Sequence, residues 1–373
     1  MAEYLTNTTD LTKVASAIRE KGGTSDSLVY PDGFVTAIQA IQTGTELQII
    51  VTVKSGATVT ATKGSKVVSG TSVNGTCTLT VPEEGEWTVS ATLGGETSKS
   101  NIVNVTSSYD TTLVFIPPIL NDNSWETIRG ISDAGTGENF WSIGDRKAVT
   151  LNGTVGALTL SNYTTYAFII GFNHNSSVEG ANRIHFQLGK TALSGGTDVA
   201  LCDNSYNLIG GGFRMNTSDS NSGGWESSFM RKYICGTSMI SYSNTIIAVI
   251  PEALRTVLKY VTKYTNNTGR LQPGMESATA TTDYFFLLSE YEVFGTFRVA
   301  NVGESKKQAQ YSYYSSGNSK VKYNYNAIGT AVTWWLRSPV ASDSEQFATC
   351  YMSGEVSGDD ARKSYGFAPG FCV

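Results

Sequence analysis

Between residues 45 and 108 the chain repeats one pattern, in which short runs rich in Val, Ile and Thr alternate with Gly, Pro, Asn or Ser. The runs are, in order, LQIIVTV, ATVTATKG, SKVVSGTS, GTCTLTVP, EWTVSATLGG and NIVNVTSS. Short β-branched runs with turn residues at such close spacing predict a small antiparallel β-sandwich. We expect Trp87 to fill its core. The segment carries no motif that suggests chemistry, which favours a spacer.

Residues 1–44 have a different period, because their apolar residues recur at helical spacing. The first run places Leu11, Val14, Ala15 and Ile18 on one face, and the second places Phe34, Ile38 and Ile41 on another. Two helices this short cannot bury a core alone. We therefore expect residues 1–44 to attach the chain to copies of itself or to another protein.

The sequence pattern of residues 109–373 predicts one larger α+β unit. Three runs are typical of strands: KAVTLNG, YAFIIGFNH and RIHFQLG. A helix is expected to begin at Pro251, with Leu254, Val257, Leu258 and Val261 on its apolar face. Buried paired charges are expected near the aromatic residues, at Glu226, Arg231, Glu290 and Glu292.

Composition excludes several classes of protein. The 373 residues carry a net charge of −5 without a basic run, which argues against a nucleic-acid binder. No apolar stretch is long enough to predict a signal peptide or a membrane insertion. The five cysteines lack CxxC spacing and predict buried free thiols, as in a protein made in a reducing cytoplasm.

The C-terminal stretch combines core-like ends with a polar middle. WWLRSP predicts a buried strand that contains Trp334, Trp335 and Leu336, and GFAPGFCV predicts the last strand. Between them, Phe347, Cys350 and Val356 are spaced as inward anchors, and Gly354 is the residue expected to adopt φ > 0 in a turn. A rigid frame would thus hold a variable surface, which is how binding residues are commonly displayed.

Six stretches occur here in an order that resembles one family of proteins. The stretches are FWSIGDRKAVTLNG, IIGFNHN, GGWESSFMRKYICG, FFLLSEYEVFG, WWLRSP and GFAPGFCV. They resemble phage and prophage proteins of gut bacteria, some of which are variable proteins of diversity-generating retroelements. The resemblance covers about residues 115–373. It implies a C-type lectin-like domain in the variant shared with formylglycine-generating enzymes. The sandwich also resembles immunoglobulin-like modules of phage tails.

The expected fold class is therefore α+β and multidomain. A helical attachment segment occupies residues 1–44, an immunoglobulin-like β-sandwich residues 45–108, and a C-type lectin-like ligand-binding domain residues 109–373. The resemblance implies a variable region at about 337–366, whose side chains should point to solvent and bind ligand. The expected ligand-binding residues are Ser342, Asp343, Ser344, Glu345, Gln346, Ala348, Thr349, Tyr351, Met352, Glu355, Ser357, Asp359, Asp360, Arg362, Lys363 and Tyr365.

Diversification in this family rewrites Asn codons at adenines. No Asn follows Asn326. Rewriting of the Asn codons would leave the C-terminal region without Asn in this way. Some expected binding residues, including Glu345 and Met352, cannot arise from an Asn codon by changes at adenines alone. The sequence leaves open whether this region is diversified.

Catalytic and metal-binding patterns are weak. His174 and His185 are the only histidines, and no Glu or Cys stands near them at metal-ligand spacing, which favours structural roles. The carboxylates of SDSE and SGDD match neither an EF-hand nor the calcium motif of sugar-binding lectins. Formylglycine-generating enzymes need a paired-cysteine copper site, which Cys350 and Cys372 have no sequence pattern to form. We expect no catalytic residue, no metal and no cofactor.

The function expected from the resemblance is receptor binding by a phage or prophage tail protein. The ligand would be a protein or glycan of the bacterial host surface, and other partners would be phage tail or baseplate proteins. A homotrimer is expected by resemblance to tail fibres. The protein would be made in the bacterial cytoplasm without a signal peptide and reside in the virion tail. Alternatives are a bacterial surface adhesin or a tail-borne enzyme of formylglycine-generating-enzyme-like fold.

Overall fold

The computed structural model divides the chain into two compact units, Met1–Ile116 and Pro117–Val373. The fold mixes helices with a larger share of strand, in agreement with the expected α+β class. The residues that the structure describes are 8–22, 27–40, 46–98, 100–113, 115–267 and 278–373.

The N-terminal unit begins with two helices, α1 (Thr8–Gly22) and α2 (Asp32–Ala40). Both helices confirm the apolar period of the sequence. Ala15, Ile18 and Phe34 are buried in one small cluster between them. Val14 and Ile38, by contrast, are about half exposed, because they lie outside the small cluster that the two helices share. Ile41 lies outside the described residues.

Eight strands follow among the described residues of the same unit. Their bounds are β1 (Gln48–Thr52), β2 (Thr58–Lys63), β3 (Lys66–Thr71), β4 (Thr76–Thr80), β5 (Gly85–Leu93), β6 (Glu96–Thr97), β7 (Asn101–Val105) and β8 (Tyr109–Thr112). One sheet has the order β4-β1-β8, and the other has the order β3-β2-β5-β6 with β7 also paired to β5. Each of the six runs read from the sequence forms a strand.

The two sheets share one core. Alternate residues of the strands point inward, as the period of two requires, and Trp87 is fully buried among them. Its indole nitrogen donates a hydrogen bond of 3.1 Å to the carbonyl of Glu83. Strand β8 pairs in parallel with β1. The boundary expected at residue 109 is therefore corrected, because residues 109–112 complete the first sheet and the second unit begins at Pro117.

The C-terminal unit has short helices. They are α3 (Trp125–Asp133), α4 (Ser176–Glu179), α5 (Gly224–Ser227), α6 (Ile246–Val249), α7 (Glu252–Arg255), α8 (Glu290–Phe294) and α9 (Ser312–Ser315). Three 3₁₀ turns and one π-helix accompany them, at Leu120–Asp122, Gly137–Asn139, Val302–Lys307 and Met230–Gly236. Among the described residues, no helix is both long and apolar enough to cross a lipid bilayer.

Thirteen strands among the described residues form the sheets of this unit. Their bounds are β9 (Arg146–Val155), β10 (Leu158–Phe172), β11 (Ile184–Lys190), β12 (Val199–Ala200), β13 (Val261–Asn266), β14 (Ala278–Asp283), β15 (Phe285–Phe286), β16 (Lys322–Asn324), β17 (Ala327–Val332), β18 (Trp334–Pro339), β19 (Gln346–Cys350), β20 (Val356–Asp360) and β21 (Gly370–Cys372). The sheets have the orders β15-β21-β11-β10-β9, β12-β16-β17, β13-β14 and β18-β19-β20.

The five-stranded sheet holds the centre of the unit. Every residue of β11 is buried, as expected of a strand that is covered on both faces. The last strand, β21, lies between β15 and β11, so the expectation that GFAPGFCV forms the closing strand is confirmed. The three strands predicted from KAVTLNG, YAFIIGFNH and RIHFQLG are β9, β10 and β11.

The helix expected from Pro251 is wrong beyond its first turn. Helix α7 covers only Glu252–Arg255, and Val261 begins β13. The following β-branched residues pair in antiparallel register with β14, from Val261 opposite Asp283 to Asn266 opposite Ala278. Pairing with the next described strand along the chain has thus overridden the helical spacing of the apolar residues.

Candidate functional site

Strands β19 and β20 form a hairpin within the expected variable region. The strands pair from Gln346 opposite Asp360 to Cys350 opposite Val356. The turn is closed by a hydrogen bond of 2.8 Å from the amide of Gly354 to the carbonyl of Tyr351. Gly354 has φ +86°, a conformation that side chains with a Cβ rarely adopt, which confirms its expected role.

The strand before this hairpin, β18, forms the frame. Trp334, Trp335 and Leu336 are fully buried, as predicted. The indole nitrogen of Trp334 donates 2.9 Å to the carbonyl of Lys320, and that of Trp335 donates 2.8 Å to the carbonyl of Phe213. Both rings are therefore fixed by packing and by a hydrogen bond, so β18 is a rigid support for β19.

The structure divides the sixteen expected binding residues into three groups. Six are exposed: Ser342, Ser344, Glu345, Tyr351, Met352 and Glu355. Seven are half-buried: Asp343, Gln346, Ser357, Asp359, Asp360, Arg362 and Lys363. Three are buried: Ala348, Thr349 and Tyr365. The exposed group is itself split between the two ends of β19, which lie about 16 Å apart for a strand of this length.

The expectation of exposure is wrong for Ala348, Thr349 and Tyr365. Ala348 and Thr349 lie in β19, which pairs with β18 on one side and β20 on the other and is covered on both faces. The ring of Tyr365 packs against Trp335 at 5.2 Å and against Tyr206 at 5.6 Å. These three side chains belong to the frame and cannot contact a ligand directly.

Charged side chains after β20 are paired with one another. Arg362 contacts Asp219 at 2.7 Å and Asp360 at 2.9 Å, and Lys363 contacts Asp359 at 2.9 Å. The hydrogen bond from Arg362 is the main cause that lowers the pKa of Asp360 to about 2. These residues keep part of their surface in solvent, but their charges are largely compensated within the protein.

Residues 208–210, which sequence reasoning missed, lie against the residues that follow β20. The amide of Ser364 donates 2.9 Å to the carbonyl of Leu208, and the amide of Gly210 donates 3.0 Å to the carbonyl of Arg362. Leu208 and Ile209 are 60% and 63% exposed. The available signal was an apolar pair in an otherwise polar and Gly-rich stretch, which a surface recognition segment can show.

Asn221 fastens a second loop to the variable region. Its side-chain nitrogen lies 2.8 Å from each of the carbonyls of Asp343 and Gln346, and its amide donates 2.7 Å to the carbonyl of Ser344. Asn221 is fully buried. The loop that precedes β19 is therefore held by a side chain rather than free, so its exposed residues have fixed positions.

A second cluster of functional side chains lies in the core of the unit. The ammonium nitrogen of Lys263 is 2.6 Å from Glu179, 2.9 Å from Glu292 and 2.8 Å from the hydroxyl of Tyr311. The guanidinium of Arg337 donates to both carboxylate oxygens of Glu292. Glu179 is 3% exposed and the other four residues are fully buried.

The buried carboxyl groups in and near this cluster have pKa values that are shifted in opposite directions. Burial alone would raise the pKa of Glu292, but Arg337 and Lys263 outweigh it and hold that pKa well below its ordinary value. Burial is the main cause that raises the pKa of Glu179 to about 7; the negative charge of Glu292 adds to it, and the contact with Lys263 only partly offsets it. Burial likewise raises the pKa of Glu304 to about 7. Glu292 is therefore the permanent anion of the cluster.

The fold also brings both histidines to the cluster, which sequence spacing did not indicate. The rings of His174 and His185 are 5.5 Å apart, and His174 stacks on Tyr311 at 3.8 Å. The nearest contact of His174 with Glu179 is 3.7 Å. Burial lowers the pKa of His174 to about 3, and it also lowers that of His185. Both rings are thus neutral near pH 7.

Donor atoms of His174, Glu179 and Glu292 lie within 4.8 Å of one another, a spacing that could hold a metal ion. The ammonium of Lys263, however, already bonds to both carboxylates. A cation of protein origin occupies the position that a metal would need, so the donor set does not fit a metal centre. With every member buried, the cluster can stabilise the fold but offers no surface to a substrate.

The other expected charge positions differ in burial. Arg231 contacts Asp283 at 2.6 Å, and Glu290 accepts hydrogen bonds from the backbone amides of Val299 and Ala300. Glu226 is exposed, so its expected burial is wrong.

The five cysteines are buried and free, as predicted. The sulfur of Cys350 contacts the carbonyl of Lys320, and the sulfur of Cys372 contacts the ring of His185.

Comparison with protein families gives a match to the C-terminal part of the chain. Residues 199–373 match a family described as a domain of unknown function, DUF6273. A comparison with curated proteins gave no match. The matched range contains the hairpin β19–β20, the frame strand β18 and the residues Lys263, Glu292 and Arg337 of the buried cluster. The C-terminal part of this chain is therefore similar to the DUF6273 family.

Proposed function

We propose that the chain is a receptor-binding protein of a phage or prophage tail, and that its C-terminal unit is a ligand-binding domain of the C-type lectin-like class. The observation that carries this proposal is the contrast between β18, which is fully buried and doubly fixed, and the adjoining turn at Tyr351–Glu355, which is largely exposed. A fixed frame that presents a variable turn suits recognition. Recognition of this kind does not require a side chain that reacts with the ligand.

The ligand is proposed to contact one surface, called here the hairpin surface. It comprises Leu208, Ile209, Tyr351, Met352 and Lys363. The four apolar or aromatic members are between 42% and 63% exposed. Burial is the main cause that raises the pKa of the Tyr206 phenol, and Tyr351 adds to it; Tyr206 is two residues before Leu208 in the chain. Tyr side chains are typical energetic anchors of binding. Lys363 is already paired with Asp359, so the apolar and aromatic members are expected to contribute most of the binding energy.

The N-terminal unit is proposed to join this domain to the virion. Its two sheets around Trp87 suit an immunoglobulin-like spacer, and its helices suit an attachment segment. Val14, Val35 and Ile38 are each about half exposed on α1 and α2, which leaves apolar area for a partner or for further copies of the chain. Light scattering of the intact protein measures its self-association, and a monomer would contradict the expected homotrimer.

Binding of the full chain to candidate host bacteria tests the proposed function. The variant Tyr351→Ala/Met352→Ala should bind at least about tenfold more weakly, since two anchors of about 1 kcal/mol or more each are removed. A matched control is Ile240→Ala/Tyr260→Ala, because both side chains are exposed and lie outside the hairpin surface.

Equal binding by the wild type and a folded Tyr351→Ala/Met352→Ala variant would reject the hairpin surface. Cleavage of a host surface polymer by the wild type would favour the tail-borne enzyme instead. Reverse transcriptase and template-repeat genes beside the coding sequence would support diversification of residues 337–366. A gene context of surface anchors would favour the adhesin.

A further inference from the structure

A polar groove lies outside the hairpin surface. It has a volume of about 650 Å³ and is lined by residues between Asn216 and Tyr233. Hydroxyl groups of Thr217, Ser218 and Ser222 line it, together with the ammonium of Lys232. Within the described part of the chain, these four side chains make no hydrogen bond to protein. Their hydrogen-bonding capacity is therefore available to a ligand.

The walls of the groove are held in place. The side-chain oxygen of Asn216 accepts 3.0 Å from the amide of Phe229, and its nitrogen donates 2.6 Å to the carbonyl of Ser220. The opposite wall is the π-helix Met230–Gly236, which buries Met230 and Ile234 while Lys232 and Tyr233 face solvent. π-helical turns are uncommon and frequently occur at functional sites.

An aromatic ridge separates this groove from a second cavity. Phe229 and Tyr233, whose rings are 5.1 Å apart, line both the groove and a neighbouring cavity of about 370 Å³. Tyr233 is 60% exposed. A ring presents an apolar face with a polar tip, which can pack against the apolar face of a sugar. A chain of several sugar units could cross the ridge and fill both cavities.

The charge of both cavities has one sign. Lys232 lines the groove and Arg214 lines the second cavity, where its guanidinium lies 4.5 Å from the ring centre of Phe229. Among the described residues, no carboxylate lines either cavity. Asp219, in the same loop, is instead paired with Arg362. Two cations without a lining anion favour a negatively charged ligand.

We propose that this groove and the adjoining cavity bind an acidic oligosaccharide, one that carries carboxylate groups on its sugar rings. Tyr233 stacks on a sugar ring, Lys232 contacts a carboxylate, and the free hydroxyls of Thr217, Ser218 and Ser222 bind sugar hydroxyls. The site uses no residue of the hairpin surface. Failure of either proposal would therefore leave the other standing.

A glycan array probed with the full chain tests the proposal first, and calorimetric titration with oligogalacturonate and with neutral maltohexaose follows. The wild type should bind acidic glycans in preference to neutral ones, and less tightly as salt increases. Lys232→Ala should weaken binding of oligogalacturonate about tenfold, while Lys232→Arg should retain most of it. Tyr233→Ala should also weaken it about tenfold, whereas Tyr260→Ala, which removes an exposed tyrosine outside both cavities, should not.

Each variant should remain folded, because the substituted side chains are exposed. Thermal unfolding of each variant checks this. An array without preference for acidic glycans would overturn the proposal. So would equal affinities of wild type and Lys232→Ala for oligogalacturonate. Equally tight binding of single-stranded DNA would show a general attraction for polyanions and would reject a saccharide site.

Discussion

Truncation of Trp335 tests the frame most sharply. A fully buried Trp removes about 200 Å² from water, and at about 25 cal/mol per Å² this contributes about 5 kcal/mol as an upper estimate. Its indole also donates 2.8 Å to the carbonyl of Phe213, and an orphaned buried carbonyl costs about 1 kcal/mol or more. With partial relaxation of the site, Trp335→Ala should lower the free energy of unfolding by about 5 kcal/mol.

The variant Trp335→Phe separates the two contributions. It keeps an aromatic ring next to Tyr365 but removes the donor to Phe213, so about 1–3 kcal/mol should be lost. Tyr351→Ala, at a side chain that is 44% exposed, should change the free energy of unfolding by no more than about 0.5 kcal/mol.

Urea denaturation of the intact chain, followed by circular dichroism, measures these changes. The N-terminal unit provides an internal reference, because Trp335 lies in the C-terminal unit. Only the transition of the C-terminal unit should move to lower urea. A loss below about 1 kcal/mol for Trp335→Ala, or equal losses for Trp335→Ala and Tyr351→Ala, would refute the distinction between frame and surface.

Two further predictions concern the buried cluster. Lys263→Met should lower the free energy of unfolding by about 3–5 kcal/mol, because it leaves Glu179 and Glu292 without their shared cation; a loss below about 1 kcal/mol in urea denaturation would contradict this. Burial raises the pKa of Glu304 from 4.5 to about 7, so its contribution to stability is complete below pH 4.5 and is lost as pH rises through 7. Glu304→Gln, which cannot ionise, should therefore be more stable relative to wild type at pH 8 than at pH 4, by about 3 kcal/mol; an unchanged difference between the two pH values would contradict this.

Local patterns predicted much of the fold. The six β-branched runs of residues 45–108 became strands because alternation and turn residues act within a few positions of one another. The positive φ of Gly354 could be predicted because a tight turn requires it. Trp334 and Trp335 could be assigned to the core because side chains of that size are rarely left in solvent without a ligand.

Burial of the second face of a strand could not be predicted in the same way. Thr349 and Tyr365 are polar enough to suit a surface, yet both are buried, and the ring of Tyr206 packs against Tyr365. Tyr206 is more than 150 residues before Tyr365 in the chain. A local sequence pattern holds no information about packing by a segment that is so remote in the sequence.

Most of the buried cluster was missed for the same reason, although Glu292 was expected as a buried and paired charge. His174, Glu179, Lys263, Glu292 and Arg337 come from five separate elements or loops, and none stands at metal-ligand or catalytic spacing to another in the sequence. Val261, which begins the strand that carries Lys263, was expected to lie on a helix. The pairing of this strand with β14 places Lys263 in the core instead.

Within residues 334–373, we propose, a frame that folds is separate from a surface that binds. A saturation library across this range, measured in the full chain for protease resistance and for binding to host bacteria, tests this separation. Substitutions at Trp334, Trp335 and Tyr365 should lose resistance and binding together, whereas substitutions at Tyr351 and Met352 should lose binding alone. The separation is refuted if Tyr351 and Met352 tolerate every substitution in both measurements, or if they lose protease resistance as Trp335 does.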